Sequence, residues 1–568
     1  MMIPIASIEQ IRAIEAAADA DGYSYESMMD AAGRAVADRA NALLDGIDSP
    51  RVTILVGAGN NGGDGLVAGL YMAQDNPDVD VRFYLLADRD DTYTQTVEAA
   101  GLFLAKSEDD ADKRLLRNMV ASADLVIDAL FGIGVRLPIQ GEAQKILRNV
   151  NHEVNARRSA TPDSLIINPA RSNQVPSAPP IKVLAVDCPS GVNCDTGEQD
   201  SNVIPADETI TFIAAKKGLL HYPAADSAGD LLIADIGISS KLAPLKAIQD
   251  FVVDADTVKQ KLQHRTSDGH KGTFGRAFVL AGSINYIGAP ALAAEAAYRA
   301  GAGLVTVGAP SSVIMALAGQ LREVTWMMLP HDMGVIAEGA AQMVFKDINK
   351  MKSLLIGPGL GTEKTTGEFI KTILTSSQNS AKKPSRRSLG FGIQPDDADK
   401  TDTDNDIMIP PLVIDADGLN LLAEMDEWWT LLPTGTIITP HPGEMARLCD
   451  IETADVQANR WELAREKAKE WDVIVVLKGA YTVIASPNDL VVLPFAVDAL
   501  ATAGTGDVLA GLIVGLLAQG IQPLDAAIIA AYVHGLAGTV LAHKTSSRSV
   551  TAGDVIASIG EAFKQIES

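Results

Sequence analysis

Apolar positions recur at helical spacing near the start of the chain, as at Ile8, Ile11 and Ile14, within an Ala-rich stretch covering residues 8–44. This pattern predicts two helices broken near Gly22. The run 51–56 then reads as a buried strand, followed at once by a Gly/Asn turn and another helical pattern. Further strands are predicted at 81–86, 125–129, 183–187 and 208–212, most of them separated by helices. A second series begins after about residue 250, with strands at 277–281, 304–307, 354–356, 412–415, 436–439, 473–478 and 482–485. Alternating strands and helices imply a mostly parallel sheet covered on both faces. The expectation is an α/β chain of two three-layer αβα domains, 1–250 and 251–568, dividing between residues 238 and 258.

Two stretches break the alternation. Residues 155–180 are rich in Pro, Ser and Asn, and residues 376–411 carry a short basic run and then an acidic one. Neither has a usable period, so both read as solvated insertions. The longest apolar run noted, 508–518, falls well short of the ~20 residues that span a bilayer. It reads as a core helix, so no membrane partner is expected. The chain starts without a basic segment followed by an apolar one, which predicts no signal peptide and a cytoplasmic protein.

Composition narrows the function. With 568 residues, 47% hydrophobic and 21% charged, the chain is long enough for two packed cores. A net charge of −25 argues against nucleic acid as a partner. It leaves room for anionic small molecules held by backbone N–H groups at helix N-termini. The three cysteines, Cys188, Cys194 and Cys449, form neither a disulfide framework nor a zinc motif. Self-association is left open.

The first candidate site is Gly57-Ala58-Gly59-Asn60-Asn61-Gly62-Gly63-Asp64-Gly65, a Gly-rich turn between a strand and a helix. Such a turn presents free N–H groups to phosphate. Its plainer reading is a tight turn before a capped helix. Asp128-Ala129-Leu130-Phe131-Gly132-Ile133-Gly134 and Asp187-Cys188-Pro189-Ser190-Gly191-Val192-Asn193 end two later strands. Asn61, Asp128 and Ser190 thus fall at strand ends with oxygen donors, which suit a hard cation. Together these blocks resemble the NAD(P)H-hydrate epimerase domain over about residues 1–250. The resemblance implies a Rossmann-like fold. It implies that Asn60, Asn61, Gly62, Gly63 and Asp64, with Gly132, Ile133, Gly134, Val135, Arg136, Leu137 and Pro138, line the hydrated dinucleotide. It further implies that Asn61, Asp128 and Ser190 bind K+, and that Asp187 contacts the reacting end as acid and base.

The second candidate site is Ala503-Gly504-Thr505-Gly506-Asp507, directly before the apolar helix. Glycines admit a phosphate, the helix N-terminus attracts it, and the Asp can reach a substrate hydroxyl. The plainer reading is an acidic cap on a core helix. Gly-rich loops at 357–361 and 415–420, the Pro-flanked His441, and Lys478-Gly479-Ala480-Tyr481-Thr482 also end strands. With His270–Gly275 and Ala281–Ser283, these resemble the ribokinase-like ADP/ATP-dependent NAD(P)H-hydrate dehydratase over about residues 260–565. The resemblance implies that Ala289, Gly361, His441 and Asp507 meet the hydrate, and that Lys478, Gly479, Ala480, Tyr481, Thr482 and Gly506 meet the nucleotide. It also implies Mg2+, with ADP or ATP as co-substrate and ADP favoured for a bacterial source.

Two other functions remain to be distinguished. One is a small-molecule kinase of the same fold, which would release a stable phosphorylated product. The other is a non-catalytic Rossmann-like binding module in the N-terminal half.

Overall fold

The computed structural model describes residues 2–159, 180–381 and 407–568. Most of both expected insertions lies outside these residues. Their near edges do not: the helix Gly141–Arg158 runs past residue 155, and Lys364–Ala381 runs past residue 376. Each insertion therefore begins later than the composition suggested, because a helix carries the chain into it. The chain divides into two compact units at Gln249 and Asp250.

The N-terminal unit is built on a seven-stranded sheet. Its order is Phe103–Lys106, Asp80–Leu85, Arg51–Val56, Leu125–Ala129, Lys182–Val186, Glu208–Phe212 and Asp230–Ala234, all parallel. The order in which strands are added reverses between Arg51–Val56 and Leu125–Ala129, the place where open parallel sheets bind ligands. Alternate side chains explain why these strands are apolar throughout. Val52, Ile54 and Val56 join one core with the helices Tyr25–Leu43 and Asn60–Asp75. Leu55 and Val126 join another with Arg114–Ala121 and Gly141–Arg158. The opening helices are Ile8–Ala20 and Tyr25–Leu43, capped by Ser7 and Ser24. Gly22, at φ +96°, makes the break between them.

In the C-terminal unit the strand order is Thr325–Met328, Leu304–Ala309, Arg276–Leu280, Ser353–Ile356, Leu412–Ile414, Ile437–Ile438, Ile474–Leu477, Val483–Ala485, Leu490–Val492 and Asp250–Val252. Val483–Ala485 runs antiparallel to both neighbours and the other pairings are parallel. The helix Thr505–Ala518 is buried nearly all round, between the sheet and the helices Gly288–Arg299, Pro523–Lys544 and Ala552–Glu567. Gly511 and Gly515 let it approach closely. Added Cβ atoms would sit 2.3 Å from Ala293 O and 2.5 Å from Ala297 O.

The longest apolar helix is not the expected 508–518 segment. Among the described residues, Pro523–Lys544 is long and apolar enough to cross a membrane. It is mostly buried against Thr505–Ala518 and Ala552–Glu567, as a core helix is. Several short strands escaped the pattern, including Phe103–Lys106, Asp230–Ala234, Thr325–Met328 and Asp250–Val252. They lie toward sheet margins, where partial exposure erases the apolar run.

Candidate active sites

In the N-terminal unit, strand Arg51–Val56 leads through Gly57–Gly59 into the helix Asn60–Asp75. This turn closes only on glycine. A Cβ on Gly57 would lie 1.8 Å from Leu130 O, and one on Gly62 would lie 2.1 Å from Gly57 O. Arg89 braces the turn, its Nη1 donating to Gly57 O at 2.6 Å and Gly59 O at 2.9 Å.

Asp128, near the end of the adjacent strand, is fully buried. It accepts from Ser190 Oγ at 2.6 Å and from Ser190 N at 2.8 Å. Burial pushes its carboxyl above the usual range, against the pull of the Ser190 hydrogen bonds. Asn61 is buried with neither its amide oxygen nor its nitrogen partnered. Buried amides are rarely left so. The orphaned amide oxygen of Asn61, with the carboxylate of Asp128 and the hydroxyl of Ser190, would offer oxygen donors of the kind a hard cation takes.

Asp187 follows the strand Lys182–Val186 and does not end it, as the sequence pattern had suggested. Its backbone turns there into the left-handed region, at φ 66°, which favours glycine. Asp187 N donates to Ile210 O at 2.7 Å. The carboxylate meets Lys216, whose Nζ is 2.6 Å from Asp187 Oδ1.

Of the residues expected at the hydrate, Asn60, Asn61, Asp64, Gly132, Ile133, Gly134, Val135 and Asp187 line one cavity of about 380 Å³. Gly62 and Gly63 pack inward, under the Gly57 carbonyl and Met29. Arg136 is exposed, and Leu137 and Pro138 line another recess with Glu198–Ser201. The chain leaves the first cavity after Val135.

Sequence reasoning missed Arg12, Glu15 and Lys216, which also line this cavity. Burial raises the carboxyl of Glu15, and the charge of Asp187 adds to it. Asp64 lies well above the ordinary carboxylate range, through burial first and then Asp187 and Glu15. The available signal for Lys216 was a lysine directly after the apolar run Ile213–Ala215.

In the C-terminal unit, the helix Thr505–Ala518 starts from Gly504 at φ +90°. Thr505 Oγ1 donates to Leu500 O at 2.8 Å and Thr502 O at 2.9 Å, fixing the turn. The first-turn N–H groups of a helix lack intrahelical acceptors and can take an anion. Beside this turn lies an acidic cluster. Lys478 Nζ is 2.8 Å from Asp415 Oδ1 and 3.6 Å from Glu444 Oε2. Thr439 Oγ1 also donates to Asp415 Oδ1, at 2.7 Å. The carboxyl of Asp507 is pushed up to about 7 by burial and by the charge of Asp415, with Lys478 opposing. Burial opposes the Lys478 ammonium, yet Asp415 and Glu444 outweigh it and raise its value.

His441 caps the helix Pro442–Cys449, its Nδ1 accepting from Gly443 N at 3.0 Å and Glu444 N at 3.3 Å. Burial lowers its value, and with Nδ1 accepting, the ring's N–H is Nε2. Gly361 N donates to Asp417 Oδ2 at 2.9 Å, and Ala289 lies against the same loop at Gly359. Lys478 turns toward the acidic cluster, while Gly479 and Ala480 are exposed. Tyr481 sits at φ 50° with its N donating to Phe495 O at 2.7 Å, and Thr482 Oγ1 donates to Gly479 O at 2.8 Å. Arg460, missed in the sequence, donates to Leu477 O and Lys478 O at 3.2 and 3.3 Å. Burial lowers its guanidinium to about 10. Among the described residues no three His, Cys, Asp or Glu side chains are placed to hold a metal ion.

The family model described as NAD(P)H-hydrate dehydratase matches residues 277–380 and 389–560, and the YjeF-related protein N-terminus model matches residues 25–218. A bifunctional NAD(P)H-hydrate repair enzyme of Moorella thermoacetica is 34% identical, covering 95% of this chain and 92% of its own. The enzyme so described from Escherichia coli is 32% identical, covering 96% and 90%. An ADP/ATP-dependent NAD(P)H-hydrate dehydratase from Bacillus subtilis, co-crystallised with ATP and Mg2+, is 27% identical over 56% of this chain and 98% of its own, with a TM-score of 0.45. Two family models in series and relatives matched along nearly their whole length lead to one assignment: the chain belongs to the family of bifunctional NAD(P)H-hydrate repair enzymes.

Proposed function

We propose that residues 1–250 form an NAD(P)H-hydrate epimerase domain and residues 251–568 an ADP- or ATP-dependent dehydratase domain that acts on the S hydrate. One chain then clears both epimers of hydrated NADH and NADPH. The observation that carries this reading is the Asp507 carboxylate at the Gly504–Gly506 turn. It pairs a group able to deprotonate an alcohol with a turn able to hold phosphate.

The hydrate bears a hydroxyl on the ring carbon next to nitrogen. To invert that carbon, the C–O bond breaks as the ring nitrogen donates its lone pair and the departing oxygen gains a proton. Water then adds to the other face and loses a proton. Asp187 takes that proton. Glu15 and Asp64, whose carboxyls burial keeps toward the neutral form, supply the other. A potassium ion held by Asn61, Asp128 and Ser190 would supply a fixed positive charge beside the ring.

Dehydration must expel hydroxide, a poor leaving group. Asp507 takes the hydroxyl proton and the oxygen attacks the terminal phosphoryl group of the nucleotide, releasing ADP from ATP or AMP from ADP. The ring nitrogen then expels phosphate, and loss of the neighbouring carbon's proton restores the double bond. Amides at Gly504–Gly506 stabilise the transferring charge. Mg2+ bound with the nucleotide would neutralise phosphate charge. Lys478–Thr482 and Gly506 meet the nucleotide, and Ala289, Gly361 and His441 the hydrate.

The test mixes purified protein with both epimers, with and without ADP or ATP, and separates the products. Interconversion without nucleotide, and reduced coenzyme plus one phosphate with it, is the expected result. A stable phosphorylated product would identify a kinase instead. Interconversion at the uncatalysed rate would make the N-terminal unit a binding module.

A further inference from the structure

The side chain of Lys216 is 1% exposed, an unusual burial for an ammonium group. All three of its N–H bonds are used. Nζ lies 2.6 Å from Asp187 Oδ1, 2.6 Å from Thr211 Oγ1 and 3.0 Å from Phe212 O. Thr211 Oγ1 in turn donates to the same Asp187 Oδ1 at 3.2 Å. One carboxylate oxygen is therefore held twice. The other, Oδ2, faces Gly132 and Asn61 in the cavity, 3.3 Å from where a Gly132 Cβ would stand.

Lys216 comes from the short strand Ala215–Lys216, which pairs with Ile3–Ala6. The backbone carbonyl of Phe212 and the hydroxyl of Thr211 come from the strand beside Asp187. The ammonium is thus clamped to the sheet, and it clamps the carboxylate in turn. Glu15 from the first helix, Asp64 and Cys188 also lie within the electrostatic reach of this pair, with Arg12 beside Glu15 and Arg89 beside Asp64.

We propose that Lys216 is the positioning residue of the epimerase site: it anchors Asp187 Oδ1 and so turns the free oxygen, Oδ2, toward the reacting carbon. The inference rests on the epimerase reading of the N-terminal unit. A lysine that only braced the fold would need no contact with Asp187, and its loss would change stability and leave kcat of the folded protein alone.

The experiment uses the full chain and measures epimer interconversion above the uncatalysed rate, from acid to alkaline pH. In Lys216→Met, kcat is expected to fall about 100-fold or more with KM nearly unchanged. Nucleotide-dependent dehydration in the same sample stays at its wild-type rate and reports an intact chain. Thr211→Val keeps the lysine but frees one carboxylate anchor, so kcat falls there as well with KM nearly unchanged. An unchanged kcat in folded Lys216→Met overturns the inference. If that variant loses its unfolding transition, Thr211→Val decides, and an unchanged kcat there overturns it. Failure of the wild-type protein to interconvert epimers sinks the epimerase reading itself, a separate result.

Discussion

The ammonium of Lys478 lies 2.8 Å from the buried Asp415 carboxylate, and its charge also opposes the upward shift of Asp507. One lysine thereby neutralises a structural carboxylate and tunes the proposed base. Asp415 is 1% exposed, so removing its partner would strand a buried charge.

The pH response of dehydration follows from this arrangement. Asp507 is raised to about 7, so the free carboxylate form predominates only above that value. The kcat/KM for dehydration, which reports the free enzyme, should rise with pH through about 7 and then level off. In Lys478→Met the inflection should move upward, since the ammonium favours the ionised form. A rate profile measured at fixed nucleotide in both proteins checks the sign.

Asp507→Ala should reduce nucleotide-dependent dehydration by about 10²–10⁴-fold, the usual contribution of a positioned acid or base. Epimer interconversion should persist. A folded variant lacking both activities would refute separate sites. The mirror experiment is Asp187→Asn, which should remove interconversion and leave dehydration of the S epimer unchanged.

Gly506 faces the same lysine. A Cβ there would stand 3.5 Å from Lys478 Nζ, and the branches of valine would reach into the space above the turn. Gly506→Val should weaken ADP and ATP binding without unfolding the protein. Calorimetric titration with either nucleotide measures this, and an unchanged affinity would displace the phosphate from this turn.

Replacing K+ by tetramethylammonium should slow epimerisation and leave the N-terminal unit folded. The buried, unpartnered amide of Asn61 is the group expected to lose its ligand. Asn61→Ala should abolish the difference between the two cations.

Two glycines separate packing from propensity. Gly511→Ala drives a methyl to 2.3 Å from Ala293 O, so the helices must move apart, at a cost of about 1–3 kcal/mol. Gly560, in the helix Ala552–Glu567, has nothing within 4 Å, and Gly560→Ala should stabilise by about 0.5–1 kcal/mol. Denaturant unfolding of the two variants should therefore move in opposite directions.

The strands 51–56 and 125–129, the Gly57–Gly65 turn and the Gly504–Asp507 turn were all legible from residue order alone. Each is a local device: a run of apolar residues, or glycines placed where a chain must bend between strand and helix. The same is true of Asp128, near the end of its strand, and of Asp187, directly after one. What locality cannot reveal is who meets them. Lys216 lies 29 residues beyond Asp187 along the chain, and Lys478 lies 63 beyond Asp415. Glu15 reaches the first cavity from a helix whose visible pattern spoke only of packing. Neither spacing nor composition encodes these distances, because parallel strands return to one sheet edge through helices of unrelated length. The order of residues determined which turns could hold an anion and which carboxylates stood at strand ends. Tertiary packing decided which carboxylates are crowded toward neutrality and which is gripped by a buried lysine, since desolvation and charge proximity exist only once the sheet has closed.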